Sequence, residues 1–172
     1  EVVLFVGRIE QQKDLETWLQ AFELVHSRRP SVRAVVAGTG SRREQLRTRA
    51  RELGIADVVS LPGYVENAYG YMRRADVFLL SSQYEGLPTV LIEALACGCP
   101  VVATDCPSGP SEILADGEFG RLAPVGDAAG LAKGVTETLR QGSSAEDLKR
   151  RADAFAPESV LDDYERFIAT HI

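Results

Sequence analysis

Two carboxylates, Glu85 and Glu93, stand with seven residues between them in the segment Ser81-Ser82-Gln83-Tyr84-Glu85-Gly86-Leu87-Pro88-Thr89-Val90-Leu91-Ile92-Glu93-Ala94-Leu95. The segment passes from a polar loop into an apolar helix. Pro88 suits the first helical position, where a missing N–H costs nothing. Leu87 would then be the N-cap, and a poor one, so the N–H groups of the first turn lack a side-chain acceptor and are open to a ligand's oxygens. Glu93 falls in the second turn on the face of Thr89 and Val90, with Leu91, Ile92 and Leu95 around it. A carboxylate on a helix that packs into a sheet needs hydrogen-bond donors, because an unpaired buried charge protonates or finds partners. Paired sugar hydroxyls are suitable donors. The alternative is a surface glutamate on a partly covered helix. Glu85, in the turn before the helix, faces the same ligand as the open N–H groups.

Two cations lie near the start of the chain in Gly7-Arg8-Ile9-Glu10-Gln11-Gln12-Lys13, between a strand and a helix. A backbone-permissive glycine, two cations and a helix N-terminus suit a diphosphate. Arg8 and Lys13 could equally be solvated loop cations. Gly38-Thr39-Gly40 allows a tight backbone turn beside that loop. A second loop, Thr104-Asp105-Cys106-Pro107-Ser108-Gly109-Pro110-Ser111-Glu112-Ile113-Leu114, reads as Gly109 at the N-cap, Pro110 first in the helix and Glu112 third, folding back on the cap. Glu112 is therefore structural. Cys97, Cys99 and Cys106 are odd in number, which argues against a disulfide framework. The Cys97-Gly98-Cys99 spacing is too tight for a zinc site, and His26 and His171 are distant in sequence, so no metal is expected.

The elements that position these loops follow from short apolar runs: Val2 to Val6, Val32 to Ala37, Val58 to Ser60, Val77 to Leu80, Val101 to Ala103 and, more weakly, Arg121 to Ala123. They read as buried parallel strands. Leu15, Trp18, Leu19, Phe22 and Val25 recur at helical spacing after Asp14, a good N-cap, and Leu46 to Leu53 continues a second helix. Three helical stretches close the chain: Ala128 to Arg140, Ala145 to Phe155 and Glu158 to Ile172. Alternating strands and helices predict an α/β fold, a Rossmann-like doubly wound parallel sheet of about six strands with extra C-terminal helices. Its ligands bind beyond the carboxyl ends of the strands at the topological switch point.

At 172 residues and 45% hydrophobic composition the chain makes a single domain. A net charge of -6 excludes a general nucleic-acid binder, which needs an excess of cations. No apolar run approaches the roughly 20 residues of a membrane span, and the expected location is cytoplasmic. The chain starts directly on a strand without Met, from which an upstream region is expected to be missing.

With these residues in view, the chain resembles the C-terminal domain of retaining glycosyltransferases of family four, which have the two-Rossmann GT-B architecture. The resemblance rests on Gly7-Arg8 with Lys13, Gly38-Thr39-Gly40, Gly63, Glu85-Gly86-Leu87-Pro88 with Glu93, and Gly98-Cys99-Pro100-Val101-Val102-Ala103-Thr104. It implies that residues 1–172 form one donor-binding domain, without the N-terminal acceptor domain. Arg8 and Lys13 would hold the donor diphosphate, Glu93 the ribose hydroxyls, and Glu85 with the Gly86 to Pro88 backbone and Thr89 the sugar. The loop Pro62 to Val65, with Gly63 and Tyr64, would meet the base, and Gly7 and Gly38 would line the site.

By the same resemblance Glu85, positioning the donor, and Arg8 and Lys13 would carry the catalytic role, with no metal and no cofactor besides the nucleotide-sugar substrate. The Ser108-Gly109-Pro110 loop resembles those of transferases using UDP-hexoses, favouring a UDP-sugar. The implied partners are this donor, the enzyme's own N-terminal domain and a saccharide or lipid-linked acceptor, with attachment at the membrane through the absent domain. Asp14 after Lys13 and Cys99 depart from the family's commoner residues without touching a proposed contact. A nucleotide-sugar epimerase of the same architecture and a non-catalytic nucleotide-sugar-binding module are the alternatives. A nicotinamide dehydrogenase is set aside because Gly7-Arg8-Ile9-Glu10 lacks Gly-x-Gly-x-x-Gly.

Overall fold

The computed structural model describes residues 1–171. Six strands form one wholly parallel sheet: β1 (Val2–Val6), β2 (Arg33–Ala37), β3 (Val59–Gly63), β4 (Val77–Leu80), β5 (Val101–Thr104) and β6 (Arg121–Ala123), in the order β3-β2-β1-β4-β5-β6. Every residue of β4 and β5 is buried, as expected of strands covered on both faces. The helices are α1 (Leu15–Arg28), α2 (Arg43–Glu52), α3 (Ala68–Met72), α4 (Thr89–Ala96), α5 (Pro110–Ile113), α6 (Ala128–Gln141), α7 (Ala145–Asp153) and α8 (Pro157–His171). One face of the sheet carries α1 packed against α2 and α6, the other α4 packed against α3, α5 and α7. Right-handed crossovers require this division, because the chain winds outward from β1 in one direction and from β4 in the other.

The core is densest where α1 crosses the sheet. Trp18 is fully buried and stacks on Phe22, with ring centroids 5.8 Å apart. Its indole N–H donates to the Leu79 carbonyl at 2.9 Å, so a buried polar atom also ties α1 to β4. Asp14 caps α1 as its sequence position predicts. It sits in the left-handed region at φ 44 and accepts from the Thr17 hydroxyl at 2.8 Å.

Several local expectations change. Pro88 is the N-cap of α4 and Thr89 its first residue; Pro88 has ψ 80, which is not helical, so the helix starts one position later than the proline alone implies. No side chain caps this helix, as anticipated, but the Thr89 and Leu91 amides donate to the Leu87 and Pro88 carbonyls, both at 2.9 Å. The first turn is therefore less open than expected. Gly109 and Pro110 take their predicted places in α5, yet Glu112 makes no return bond to the cap, and the short helix is held instead by Arg151 donating to the Ile113 and Glu112 carbonyls. Helix α2 begins at Arg43, ahead of the apolar signal at Leu46, and α3 has no counterpart in the sequence reading. The predicted end of the last helix, Ile172, lies outside the described residues.

Candidate functional site

The loop after β1 and the loop after β4 meet where the strand order reverses, the position at which doubly wound sheets bind ligands. The β1 loop is braced from one side by the β2 and β3 loops. Gly7 N–H donates to the Ala37 carbonyl at 3.0 Å, Ile9 N–H to Thr39 at 2.8 Å, and Gly38 N–H to Gly63 at 2.7 Å. The Gly38-Thr39-Gly40 turn thus lies against the first loop, as its glycines predict. A Cβ on Gly38 would collide with the Gly7 carbonyl, and one on Gly40 with that of Ile9. Glu10 anchors the same contact by accepting from the Ser41 N–H at 2.9 Å and hydroxyl at 2.7 Å. These bonds, with Arg8 and Arg42 nearby, hold its carboxyl below the usual range.

Gln11–Lys13 form a single 3-10 turn that carries Lys13 toward the β4 loop. There Lys13 Nζ lies 2.5 Å from Glu85 Oε1, and the two side chains are only 13% and 7% exposed. A pair this buried is stable only when its remaining hydrogen-bonding capacity is filled. Ser82 Oγ donates to the same Oε1 at 2.6 Å, and Gln12 Nε2 reaches Oε2 at 3.4 Å. Behind them the loop is fixed by Ser81 Oγ donating to the Lys13 carbonyl at 2.7 Å and by Thr104 Oγ1 donating to the Ser82 carbonyl at 2.6 Å. The Cys106 thiol, beside this cluster, is pushed up first by burial and then by the Glu85 carboxylate, so it stays protonated at neutral pH.

From the far side the β5 loop buttresses the turn after Glu85. Gly109, at φ 90, packs so closely that a Cβ would collide with the Pro88 ring and stand 3.0 Å from the Gly86 carbonyl. Gly86, Leu87 and Thr89 are exposed. Glu93 is half-buried in α4, and its carboxylate has no hydrogen bond or ion pair among the described residues. Arg8 is exposed. Gly63 is buried with φ 87, and Tyr64 beyond it is 76% exposed, with Val65 half-buried.

The structure therefore brings Lys13 and Glu85 into direct contact and joins Gly7, Gly38 and Gly63 through backbone bonds. Among the described residues it gives no hydrogen bond or ion pair between the Lys13–Glu85 pair and Arg8, Tyr64, Thr89 or Glu93. Gln12, Ser82, Thr104 and Cys106 escaped the sequence reading. Ser82, three residues before Glu85, carried the one usable signal, since a hydroxyl at that offset in a turn can reach back to a carboxylate. Among the described residues no group of three His, Cys, Asp or Glu is placed to hold a metal. Among the described residues no helix is long and apolar enough to cross a membrane.

An all-parallel sheet in this order, with its polar loops converging at the switch point, defines a Rossmann-type domain of the kind found in GT-B glycosyltransferases. The chain belongs to the group 1 glycosyl transferases, whose family model matches residues 1–155. It is 32% identical over 150 residues to N-acetylgalactosamine-N,N'-diacetylbacillosaminyl-diphospho-undecaprenol 4-alpha-N-acetylgalactosaminyltransferase of Campylobacter jejuni, covering 87% of this chain and 40% of that protein. It is 30% identical over 174 residues to the lipopolysaccharide core biosynthesis glycosyltransferase LpsE of Rhizobium meliloti, covering 98% of this chain and 50% of that protein. Anabaena HepE, solved in complex with UDP, superposes with a TM-score of 0.80 at 24% identity over 98% of this chain and 48% of its own. The chain spans about half or less of the length of these relatives.

Proposed function

We propose that this domain binds the donor in retaining glycosyl transfer, from a nucleoside-diphosphate sugar to a saccharide or lipid-linked acceptor. The acceptor would be held by a second domain, in the part of the relatives that this chain does not span. The observation that carries the reading is the buried Lys13–Glu85 pair at the switch point, a cation and a carboxylate held side by side where a diphosphate and its sugar would meet. Lys13, with Arg8 at the mouth of the same loop, supplies positive charge where the leaving diphosphate gains negative charge. Glu85 accepts from the sugar's hydroxyls, and the backbone from Gly86 to Pro88, exposed at Gly86 and Leu87 and continuing to Thr89, lies under the sugar. Glu93, half-buried and without a hydrogen bond or ion pair among the described residues, takes the two ribose hydroxyls. The loop of Gly63, Tyr64 and Val65 borders the base. UDP is the first nucleotide to test, because neighbours in fold have been solved with it. The protein would work in the cytoplasm, reaching the membrane through its other domain.

Calorimetry on the 172-residue chain with UDP, GDP and ADP, in the presence of EDTA, tests this. One of the three binds without a divalent ion. Binding seen only after magnesium or manganese is added overturns the assignment of the diphosphate to Arg8 and Lys13. In the same experiment Glu93→Ala loses about 1.5–3 kcal/mol, roughly ten- to a hundredfold in affinity, because two hydroxyl bonds to a charged acceptor disappear. An unchanged affinity removes Glu93 from the site.

A further inference from the structure

We infer that Gln12, supported by Ser82, is a positioning residue for Glu85, holding the carboxylate toward the donor sugar once Lys13 has turned to the diphosphate. This deepens the proposed donor site and rests on it. Gln12 makes three links to the β4 loop. Its carbonyl accepts from the Gln83 N–H at 2.9 Å, and its side-chain amide donates to the Tyr84 carbonyl at 2.8 Å and to Glu85 Oε2 at 3.4 Å. Ser82 holds the other oxygen, Oε1, at 2.6 Å, beside Lys13.

The charges explain why two neutral donors are needed beside a cation. Lys13 balances Glu85 in the ion pair. A diphosphate carries more negative charge than one carboxylate, so a bound donor draws the ammonium away, and Lys13 is a compact point charge on a flexible stem that can follow. Glu85 then loses its counter-charge as the sugar arrives. Gln12 and Ser82, uncharged, feel much less pull from the phosphates and remain in place. An ionised carboxylate has about four acceptor positions. With one oxygen held by Gln12 and the other by Ser82, the positions given up by Lys13 are left for hydroxyls. Gln12 can do this because its backbone is fixed within the 3-10 turn, closed by Asp14 in the left-handed region.

If Gln12 only splints two loops, its loss weakens every ligand alike. Gln12→Met keeps the length and the main-chain link but removes the amide donor, and Gln12→Glu sets a second carboxylate against Glu85. Calorimetry on the 172-residue chain compares UDP with UDP-glucose, GDP with GDP-mannose and ADP with ADP-glucose, with Glu85→Ala alongside. In the pair that binds, Gln12→Met weakens the nucleotide sugar relative to the bare diphosphate by roughly tenfold. Gln12→Glu does so at least as strongly, and Ser82→Ala shows the same sugar-specific loss. Combined with Glu85→Ala, Gln12→Met adds no further sugar-specific loss. Equal losses for both ligands, no loss, or an additive loss in the double variant overturns the inference. Failure of Glu85→Ala to show any sugar-specific loss, or absence of nucleotide binding by the wild type, overturns the donor-site reading and this inference with it.

Discussion

Lys13 and Glu85 each neutralise the other, so changing one alters what the other can bind. Glu85→Gln leaves a neutral side chain of the same shape and frees Lys13 for a diphosphate. Bare nucleoside diphosphate should then bind severalfold more tightly while its sugar conjugate binds about tenfold more weakly, as measured by calorimetry. The gain for the bare nucleotide follows from the ion pair, because the phosphates no longer have to draw Lys13 away from a carboxylate. Parallel losses for both ligands would show that Glu85 is structural. The two residues were legible as types, each in a loop after a strand, but their contact joins positions 72 apart in the chain. No local pattern records it. Glu112 shows the opposite error: its offset from Gly109 matches a capping box, but Arg151, from a helix much later in the chain, provides the tie instead. Pro88 was misplaced by one position because its restricted φ suits both a cap and a first helical residue, and only ψ tells them apart.

The strands were the most legible elements, since residues buried on both faces give uninterrupted apolar runs that end at glycine or polar punctuation. Helix α3, five residues long with three of them Ala, Gly and Met, offers too few turns for a periodic signal; its trace was Asn67, which accepts from the Gly70 N–H at 2.9 Å. The turn after β2 gives the sharpest test at this scale. Gly38 sits at φ 145 with the Gly7 carbonyl where a side chain would be. Gly38→Ala should therefore cost about 1–3 kcal/mol or more in urea unfolding, through backbone strain and displacement of the first loop. Gly86→Ala, whose added methyl meets nothing within 4 Å, should stay within about 0.5 kcal/mol. Equal costs at the two positions would show that the close approach of the β1 and β2 loops is not what the site depends on.

For the molecule as a whole, the last helix presents Val160, Leu161, Tyr164, Phe167 and Ile168, with exposures from 39% to 64%. Such a patch favours self-association. Sedimentation of the chain over a range of concentrations should show mass rising with concentration, and Leu161→Glu with Ile168→Glu should hold it monomeric; a wild type that stays monomeric throughout removes the patch as an adhesive surface. The reversal of strand order carries a different consequence, for the time course of folding. Strands β1 to β3 and β4 to β6 are two runs, each built by pairing successive strands, and they join along one short seam, with Val3 opposite Val77 and Leu4 opposite Phe78. The Trp18 bond to Leu79 and the Gln12 bond to Gln83 cross that seam. Closing it spans more than seventy residues of chain, a longer loop than any other strand pairing in the sheet requires. The ligand crevice lies on that seam, so the ability to bind depends on the strand pairing whose loop closure costs the most entropy.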